Sequence, residues 1–444
     1  MNDWEGRRLH FVGLGGAGMS GLALIAARLG ATVSGSDRAD SPYLARVREA
    51  GIDAMIGHDA GNVPPGDDVE LVVSTAIAAD NPERTAARER GLPEIHRGEL
   101  LGELSRRRRT IAIAGTHGKT TTASMATHAL MRIGMQPSYV IGGALRTTAT
   151  NAGWGAGDWL VVEADESDRS FLRLSPEVGV VTNIELDHHT TYASRSDLEG
   201  AFADFLRNSV RAVVADTAEA EAFLDRAAIV DAALFGASDI ELRPAGARFC
   251  WADQEVVLSV PGAHNVINAA AALTACVLAG ADPAELAGSL VDFEGAGRRF
   301  EQLGRTAAGA LVVDDYAHHP TEVRAAILAA RTLAPRRVVA AFQPHLFSRT
   351  QLLGREFGAA LVLADAVCVL DVYPSRERAA DFAGVSGLLV AEAAADAGRG
   401  RAVAWAPDFD AAQRLLEANL QAGDLCLVLG AGDIDALGRR LVGG

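Results

Sequence analysis

One short stretch of the sequence combines the residue types that bind phosphate. It reads Gly115-Thr116-His117-Gly118-Lys119-Thr120-Thr121 and follows an apolar run that predicts a β-strand. In such a strand–turn–helix unit, backbone N–H groups at the helix start bind the anion, the lysine adds charge and the threonine hydroxyl contacts Mg²⁺. Of the 41 basic residues in the chain, Lys119 is the single lysine. An arginine cannot replace a compact ammonium, so we expect Lys119 to bind nucleotide phosphates.

Two further apolar strands lead into side chains that bind metal ions. Strand 159–162 leads into Glu163, and strand 178–183 leads into a loop that contains His188. Ligand sites form at the carboxyl ends of parallel strands, so we expect Thr120, Glu163 and His188 to meet around Mg²⁺ or Mn²⁺. Each residue alone also fits a structural role, Glu163 as a surface acid and His188 as a hydrogen-bonded loop histidine.

A second glycine motif lies near the N-terminus. Strand 9–14 meets Gly13-x-Gly15-x-x-Gly18, a helix follows over 21–30, and strand 31–37 ends in an acid. This pattern is typical of a turn that binds a pyrophosphate, with the acid accepting a hydrogen bond from a ribose hydroxyl. It fits NAD, and it also fits a UDP-sugar, which contains the same two groups. The residues expected to bind this ligand are Gly15, Gly16, Gly18, Ser36 and Asp37.

Several polar residues follow in the second half of the chain. Asn265 and Asn268 share one face at the start of a helix, where they either contact an adenine edge or cap the helix. Gly295 to Gly297 predict a hinge, and Arg298 behind it can reach a phosphate. Two strands, near 310–314 and 337–342, are followed by segments rich in catalytic residue types. These segments contain Asp315, Tyr316, His318 and Arg349.

Alternating strands and helices predict an α/β fold with three domains. We expect a Rossmann-like domain over 1–108, a central P-loop-type ATPase domain with a mainly parallel sheet over 109–296, and a Rossmann-like C-terminal domain over 297–444. The basic run 106–109 at the first boundary is interpreted as a solvated linker in preference to a phosphate site.

The composition argues against several classes of protein. The net charge of −16 opposes binding to nucleic acid or to anionic membranes. The four cysteines lie far apart without metal-site or disulfide spacing, which indicates a reducing compartment. The N-terminus has no signal-peptide pattern, and the most apolar helix, 269–281, is too short to span a membrane. We expect a cytoplasmic protein, monomeric or weakly dimeric, that binds neither nucleic acid nor membrane.

Taken together, the motifs resemble those of the Mur ligases of peptidoglycan synthesis. In chain order they are Gly-Gly-Ala-Gly-Met, Gly-Thr-His-Gly-Lys-Thr-Thr-Thr, Glu-Ala-Asp-Glu-Ser-Asp, Thr-Asn-Ile-Glu-x-Asp-His, His-Asn-x-x-Asn, Gly-Arg-Arg-Phe, Asp-Asp-Tyr-Ala-His-His-Pro and Phe-Gln-Pro-His. The resemblance covers nearly the whole chain. It implies an enzyme that uses ATP and Mg²⁺ or Mn²⁺ to join L-alanine to the carboxylate of UDP-N-acetylmuramate. The alternatives are a sister ligase that attaches a preformed peptide, an NAD-dependent oxidoreductase and a non-catalytic nucleotide-binding regulator.

The resemblance also implies roles for individual residues. It assigns Lys119 to the β- and γ-phosphates, Thr120 and Glu163 to one metal ion, and His188 to a second. Either His188 or His318 is then the base for the amine. The resemblance assigns Arg349 to the amino-acid carboxylate. Some relatives have a second arginine for this carboxylate at the position of Leu346, so Arg349 is expected to bind it with less help in this chain. The remaining assignments are Gly115, Thr116, Gly118, Thr121, Asn265, Asn268, Arg298 and Asp315 to ATP, and Tyr316 to the substrate.

Overall fold

The computed structural model describes residues 4–187, 191–244 and 246–443. The chain divides into two compact units. The first comprises Met1–Ala237, Trp251–Gln254 and Ile267–Phe293, and the second comprises Ser238–Cys250, Glu255–Val266 and Glu294–Gly444. Within the described ranges, no helix has both the length and the apolar character needed to cross a membrane.

The first sheet of unit one has five parallel strands in the order β3-β2-β1-β4-β5. Its elements are β1 (Arg8–Val12), α1 (Ala17–Arg28), β2 (Thr32–Asp37), α2 (Pro42–Glu49), β3 (Asp53–Ile56), β4 (Val69–Val73), α3 (Pro82–Glu89), β5 (Glu94–His96) and α4 (Arg97–Ser105). Helix α1 begins four residues before the predicted start at Gly21. Gly21 lies where α1 packs closely on β8 (Thr150–Gly153), because a Cβ atom there would lie 3.2 Å from Ala152.

The second sheet of unit one has seven strands in the order β12-β11-β10-β6-β9-β7-β8, and β8 alone pairs antiparallel with its neighbour. Its elements are β6 (Arg109–Ala114), α5 (Lys119–Arg132), β7 (Ser138–Leu145), β8 (Thr150–Gly153), β9 (Trp159–Glu163), β10 (Val178–Val181), α6 (Arg195–Arg207), β11 (Arg211–Ala215), α7 (Ala218–Ala227) and β12 (Ala232–Phe235). Strand β6 lies between β9 and β10, so the three strand ends predicted to form a site are neighbours. In the basic run that leads into β6, Arg108 lies over the ring of Trp154 and Arg109 over the ring of Trp159.

A small sheet and two helices follow. The sheet has the order β13-β14-β15. The elements are β13 (Ser238–Arg243), β14 (Gly246–Trp251), β15 (Gln254–Leu258), α8 (Ala263–Leu278) and α9 (Pro283–Ala287). Helix α8 carries a run of buried alanines, as expected for the most apolar helix of the chain.

The main sheet of unit two has six strands in the order β16-β17-β21-β18-β19-β20, all parallel except β16. Its elements are β16 (Glu301–Arg305), β17 (Leu311–Asp315), α10 (Pro320–Thr332), β18 (Val338–Phe342), α11 (Phe347–Leu361), β19 (Ala366–Leu370), α12 (Gly387–Ala397), β20 (Ala402–Ala406), α13 (Phe409–Asn419), β21 (Leu425–Leu429) and α14 (Asp435–Gly443). The two strands predicted near 310–314 and 337–342 correspond to β17 and β18, and the α/β class is confirmed.

Candidate functional site

The predicted phosphate loop connects β6 to α5 and is closed by two glycines. Gly115 has a φ of +133° and Gly118 a φ of +80°, conformations that favour glycine. A Cβ atom at Gly115 would clash with the hydroxyl of Thr182, and one at Gly118 would clash with the side-chain oxygen of Asn268. The loop therefore packs tightly, and α5 begins directly behind it at Lys119, as in an anion-binding turn.

The ammonium of Lys119 lies among acceptor oxygens. Its Nζ donates to the carbonyls of Gly115 at 2.7 Å and Thr116 at 3.1 Å, and it lies 2.8 Å from the carboxylate of Glu166. Burial opposes the charge on Lys119, but Glu166 and Asp165 outweigh this effect and raise the pKa of the ammonium above its usual value. Lys119 is therefore a half-buried, fully charged cation at the helix start.

Thr120 and Glu163 lie side by side, as predicted. The hydroxyl of Thr120 donates to Glu163 Oε1 at 3.1 Å, and the backbone N–H of Gly142 donates to Glu163 Oε2 at 2.7 Å. Octahedral Mg²⁺ with ligands at about 2.1 Å places adjacent oxygens about 3.0 Å apart. The spacing and chemistry of this oxygen pair therefore fit Mg²⁺.

The segment after β10 supports the phosphate loop. Thr116 exchanges two hydrogen bonds with the backbone of Glu185, at 2.8 and 2.9 Å. The N–H of His117 donates to the side chain of Asn183 at 2.9 Å. The structure thus brings two of the three predicted strand ends to one site and joins the third segment to the same loop. His188 itself lies outside the described residues.

The N-terminal glycine turn is held by the acid at the end of β2. The N–H of Gly15 donates to Asp37 at 2.9 Å, and the hydroxyl of Ser41 donates to the carbonyl of Gly15 at 3.1 Å. A Cβ atom at Gly15 would lie within 3.0 Å of both side chains, so a larger residue here would displace the two side chains that hold the turn. Asp37 therefore shapes the turn, and its hydrogen bond from a ribose hydroxyl stays a prediction. Gly16 caps α1 and Gly18 lies in its first turn.

Ser36 is fully buried, in a polar cluster that the sequence did not predict. Its hydroxyl donates to Glu83 at 2.7 Å, and Asn62 and His10 also contact this carboxylate, at 2.9 and 3.0 Å. Burial tends to raise the pKa of Glu83, but the hydrogen bonds from His10, Ser36 and Asn62 outweigh it and lower the pKa to about 2. No local motif marks Glu83, which joins the cluster from α3.

The two asparagines of α8 are both buried. Asn265 donates to the carbonyl of Pro261 at 2.8 Å, which fits the local structural role considered for it. Asn268 approaches Gly118 of the phosphate loop. Thr121 is buried in the first turn of α5. The adenine contacts assigned to the asparagines remain a prediction.

In unit two, Arg298 is tied to its own domain. Its Nε donates to Asp314 at 3.1 Å, and its terminal nitrogens donate to the carbonyls of Gly430 and Gly432 at 2.8 and 2.9 Å. Burial raises the pKa of Asp314 to about 7 despite the nearby guanidinium. Asp315 accepts hydrogen bonds from the backbone N–H groups of Phe300 and Ala317, and burial raises its pKa to about 6. Both side chains therefore have protein partners, and their contacts with ATP stay predictions.

The three other residues predicted in unit two lie close together. The rings of Tyr316 and His318 are 5.3 Å apart, and those of His318 and His345 are 6.0 Å apart. Arg349 is buried and donates to His345 at 3.3 Å. His345 thus connects the two predicted catalytic segments. The sequence placed it in a motif but did not single it out.

A cavity of about 200 Å³ lies within unit one. The first turn of α1 lines one side with Gly18, and Gly142 and Glu163 line another. Arg97 and Asp165 also face the cavity, and neither was predicted as a site residue. The cavity thus joins the N-terminal glycine turn to the predicted metal-binding acid.

Three family models match the chain in order. They are described as "Mur ligase family, catalytic domain" over residues 8–109, "Mur ligase middle domain" over 113–276, and "Mur ligase, glutamate ligase domain" over 298–432. The matches agree with the predicted three-domain architecture.

Individual relatives match almost the whole chain. UDP-N-acetylmuramate–L-alanine ligase of Kineococcus radiotolerans is 46% identical over 98% of this chain and 95% of the relative, and that of Streptomyces coelicolor is 44% identical over 98% and 97%. The crystal structure of UDP-N-acetylmuramate-alanine ligase from Thermotoga maritima is 28% identical, covers 98% of both chains and superposes with a TM-score of 0.83. A murein peptide ligase from Psychrobacter arcticus, 24% identical over 98% of both chains with a TM-score of 0.74, shares the fold. The matched domains and these relatives show that the chain belongs to the Mur ligase family.

Proposed function

We propose that this protein is an ATP-dependent ligase that joins L-alanine to the carboxylate of UDP-N-acetylmuramate through an acyl phosphate. This is the first peptide-adding step in the synthesis of a peptidoglycan precursor. The observation that carries the proposal is an identity of 42–46%, over almost the whole chain, to enzymes named UDP-N-acetylmuramate–L-alanine ligase. We place the reaction in the cytoplasm, in a monomer or weak homodimer.

The phosphate loop supplies the groups that phosphoryl transfer requires. The muramyl carboxylate attacks the γ-phosphorus and ADP leaves; the neutral amine of alanine then attacks the acyl carbon and phosphate leaves. Lys119 is charged and lies at the start of α5, where it stabilises the charge that spreads over the transferring oxygens. The loop residues assigned to the nucleotide with it are Gly115, Thr116, Gly118 and Thr121.

Thr120 and Glu163 are assigned to one Mg²⁺ or Mn²⁺ ion, and His188 to a second. The 3.1 Å spacing of the first two oxygens supports this assignment. When bound, the ion neutralises charge on the phosphates. We expect Glu163→Gln to weaken Mn²⁺ binding to the ATP complex, as measured by electron paramagnetic resonance. Glu177→Gln, at the opposite end of the sheet, is the control; equal affinity in both variants would remove Glu163 from the metal site.

The remaining site residues are assigned from their places in the Mur ligase motifs. Asn265 and Asn268 contact adenine, and Arg298, Asp315 and His318 contact ATP from the C-terminal domain. Tyr316 contacts the substrate and Arg349 binds the carboxylate of the amino acid, whose amine is deprotonated by His188 or His318. The assigned domains are 1–108 for the UDP-sugar, through Gly15, Gly16, Gly18, Ser36 and Asp37, 109–296 for ATP, and 297–444 for the amino acid.

Release of ADP in the presence of UDP-N-acetylmuramate tests the proposal. Single amino acids and the preformed tripeptide are supplied in turn, and mass spectrometry identifies the product. We expect turnover with L-alanine. Turnover with the tripeptide alone would replace the proposal by the sister ligase. Reduction of NAD without ATP would replace it by an oxidoreductase.

A further inference from the structure

Arg97 occupies a distinctive position in the cavity of unit one. Among the described residues that line the cavity, Arg97 carries the positive charge, whereas Glu163 and Asp165 are acids. The chain as a whole has a net charge of −16. An anionic ligand that enters this cavity therefore needs a local cation, and Arg97 provides it.

The side chain of Arg97 is fixed from one side. Its Nη2 donates to Asp165 at 2.5 Å and to Asp168 at 3.3 Å. Burial disfavours the guanidinium charge, but these two carboxylates outweigh burial and raise the pKa of Arg97. The pairs hold the guanidinium in one orientation, and an ordered arginine loses less entropy when it binds a ligand.

The other side of the guanidinium is open. Within the described residues, Nε and Nη1 of Arg97 form no hydrogen bond, and Nη1 lies 3.4 Å from the position of a Cβ atom at Gly18. Gly18 belongs to the first turn of α1, where backbone N–H groups favour anions. Arg97 and the first turn of α1 therefore face the same cavity.

The local sequence permits this placement. Arg97 is the first residue of α4, and Gly98 follows it. A Cβ atom at Gly98 would lie 2.6 Å from the Cβ atom of Ser170, so any larger residue would push α4 away from the acidic segment. Glycine at this position lets Arg97 reach Asp165 and the cavity together.

From these observations we propose that Arg97 binds an anionic oxygen of the nucleotide sugar, an assignment that rests on the proposed function. The nucleotide sugar offers two such groups, the diphosphate and the lactyl carboxylate that is to be phosphorylated. Both suit a guanidinium in which two nitrogens, Nε and Nη1, are free to donate.

Isothermal titration of the full-length protein tests the assignment with three ligands. UDP-N-acetylmuramate carries both anionic groups, whereas UDP-N-acetylglucosamine and UDP lack the carboxylate. Arg97→Gln is expected to weaken binding of UDP-N-acetylmuramate by about 10- to 100-fold, the range for a lost charged hydrogen bond. Arg97→Lys keeps the charge and is expected to lie between wild type and Arg97→Gln.

Arg7→Gln is the matched control. Arg7 also pairs with two carboxylates, Glu70 and Glu103, and its side chain is 18% exposed against 20% for Arg97, but it does not line the cavity. We expect this variant to bind all three ligands like the wild type.

Each outcome is decisive. A loss of affinity for all three ligands assigns Arg97 to the diphosphate, and a loss confined to UDP-N-acetylmuramate assigns it to the carboxylate. Unchanged affinities in folded Arg97→Gln and Arg97→Lys, or an equal loss in Arg7→Gln, would overturn the assignment. A wild-type protein that binds none of the ligands would instead overturn the proposed function, and the assignment with it.

Discussion

Replacing Glu83 by glutamine tests the buried cluster that holds Ser36. Glutamine resembles the protonated acid, because it keeps one acceptor oxygen and gains a donor that faces other donors. The carboxylate accepts from Ser36, Asn62 and His10, and its side chain is fully buried. The substitution therefore removes the negative charge around which the cluster is arranged.

The size of the effect follows from the pKa. Burial raises the pKa of Glu83, the three hydrogen bonds lower it, and the result is a fall from 4.5 to about 2. At 1.36 kcal/mol per unit, ionised Glu83 contributes about 3 kcal/mol to the free energy of unfolding at pH 7. Because the folded-state pKa is lowered, this contribution is complete above pH 4.5 and is lost as the pH falls towards about 2. At pH 3 about 1.4 kcal/mol remains.

Urea denaturation at pH 7 and pH 3, with hydrogen exchange at the amides of β2, measures the difference between Glu83→Gln and the wild type. We expect the difference to be about 3 kcal/mol at pH 7 and to shrink by about half or more at pH 3. Glu89→Gln, at an exposed position of the same helix, is the control and should change stability by less than about 0.5 kcal/mol. A loss in Glu83→Gln that is the same at both pH values would show that the charge is not its cause.

Three further changes address the other sites. Lys119→Arg keeps the charge but enlarges the group, and turnover should fall at least about 100-fold with an unchanged circular dichroism spectrum; substantial turnover would contradict the role of Lys119. Gly118→Ala meets the side chain of Asn268 at a φ of +80°, so ATP binding measured by titration should weaken about tenfold or more. The raised pKa of Asp314, about 7, makes stability fall as the pH rises from 4 to 7, and Asp314→Asn should flatten the dependence of melting temperature on pH in that range; a parallel dependence would exclude Asp314 as its source.

The sequence predicted the positions of the strand ends because each strand is an apolar run that stops at a polar motif. The sequence alone therefore predicted that Thr120 lies beside Glu163, as it does in the structure. The carboxyl ends of parallel strands lie at the same edge of a sheet, so motifs that are far apart in the sequence come close together in space. The two tight turns were predictable as well, because glycines follow directly after an apolar strand in both motifs.

The partners of the site residues could not be predicted in this way. Glu83 lies 47 residues from Ser36, and Arg97 lies 68 residues from Asp165. Their pairing depends on how helices pack, which leaves no local pattern. Arg298 shows the same limit, because its sequence context suggested a free phosphate ligand, whereas the side chain is bound to Asp314 and to two carbonyl groups.

Segment 163–168 contains four acids, and each of them has a partner in the candidate site. Its first carboxylate contacts Thr120, two others contact Arg97, and another contacts Lys119. Four carboxylates thus face two cations, which leaves an excess of two negative charges that one Mg²⁺ would balance. The segment also links the cavity residue Arg97 to the phosphate-loop residue Lys119. Six consecutive residues therefore fix the groups assigned to both anionic substrates, so a shift of the segment at one site must disturb the other.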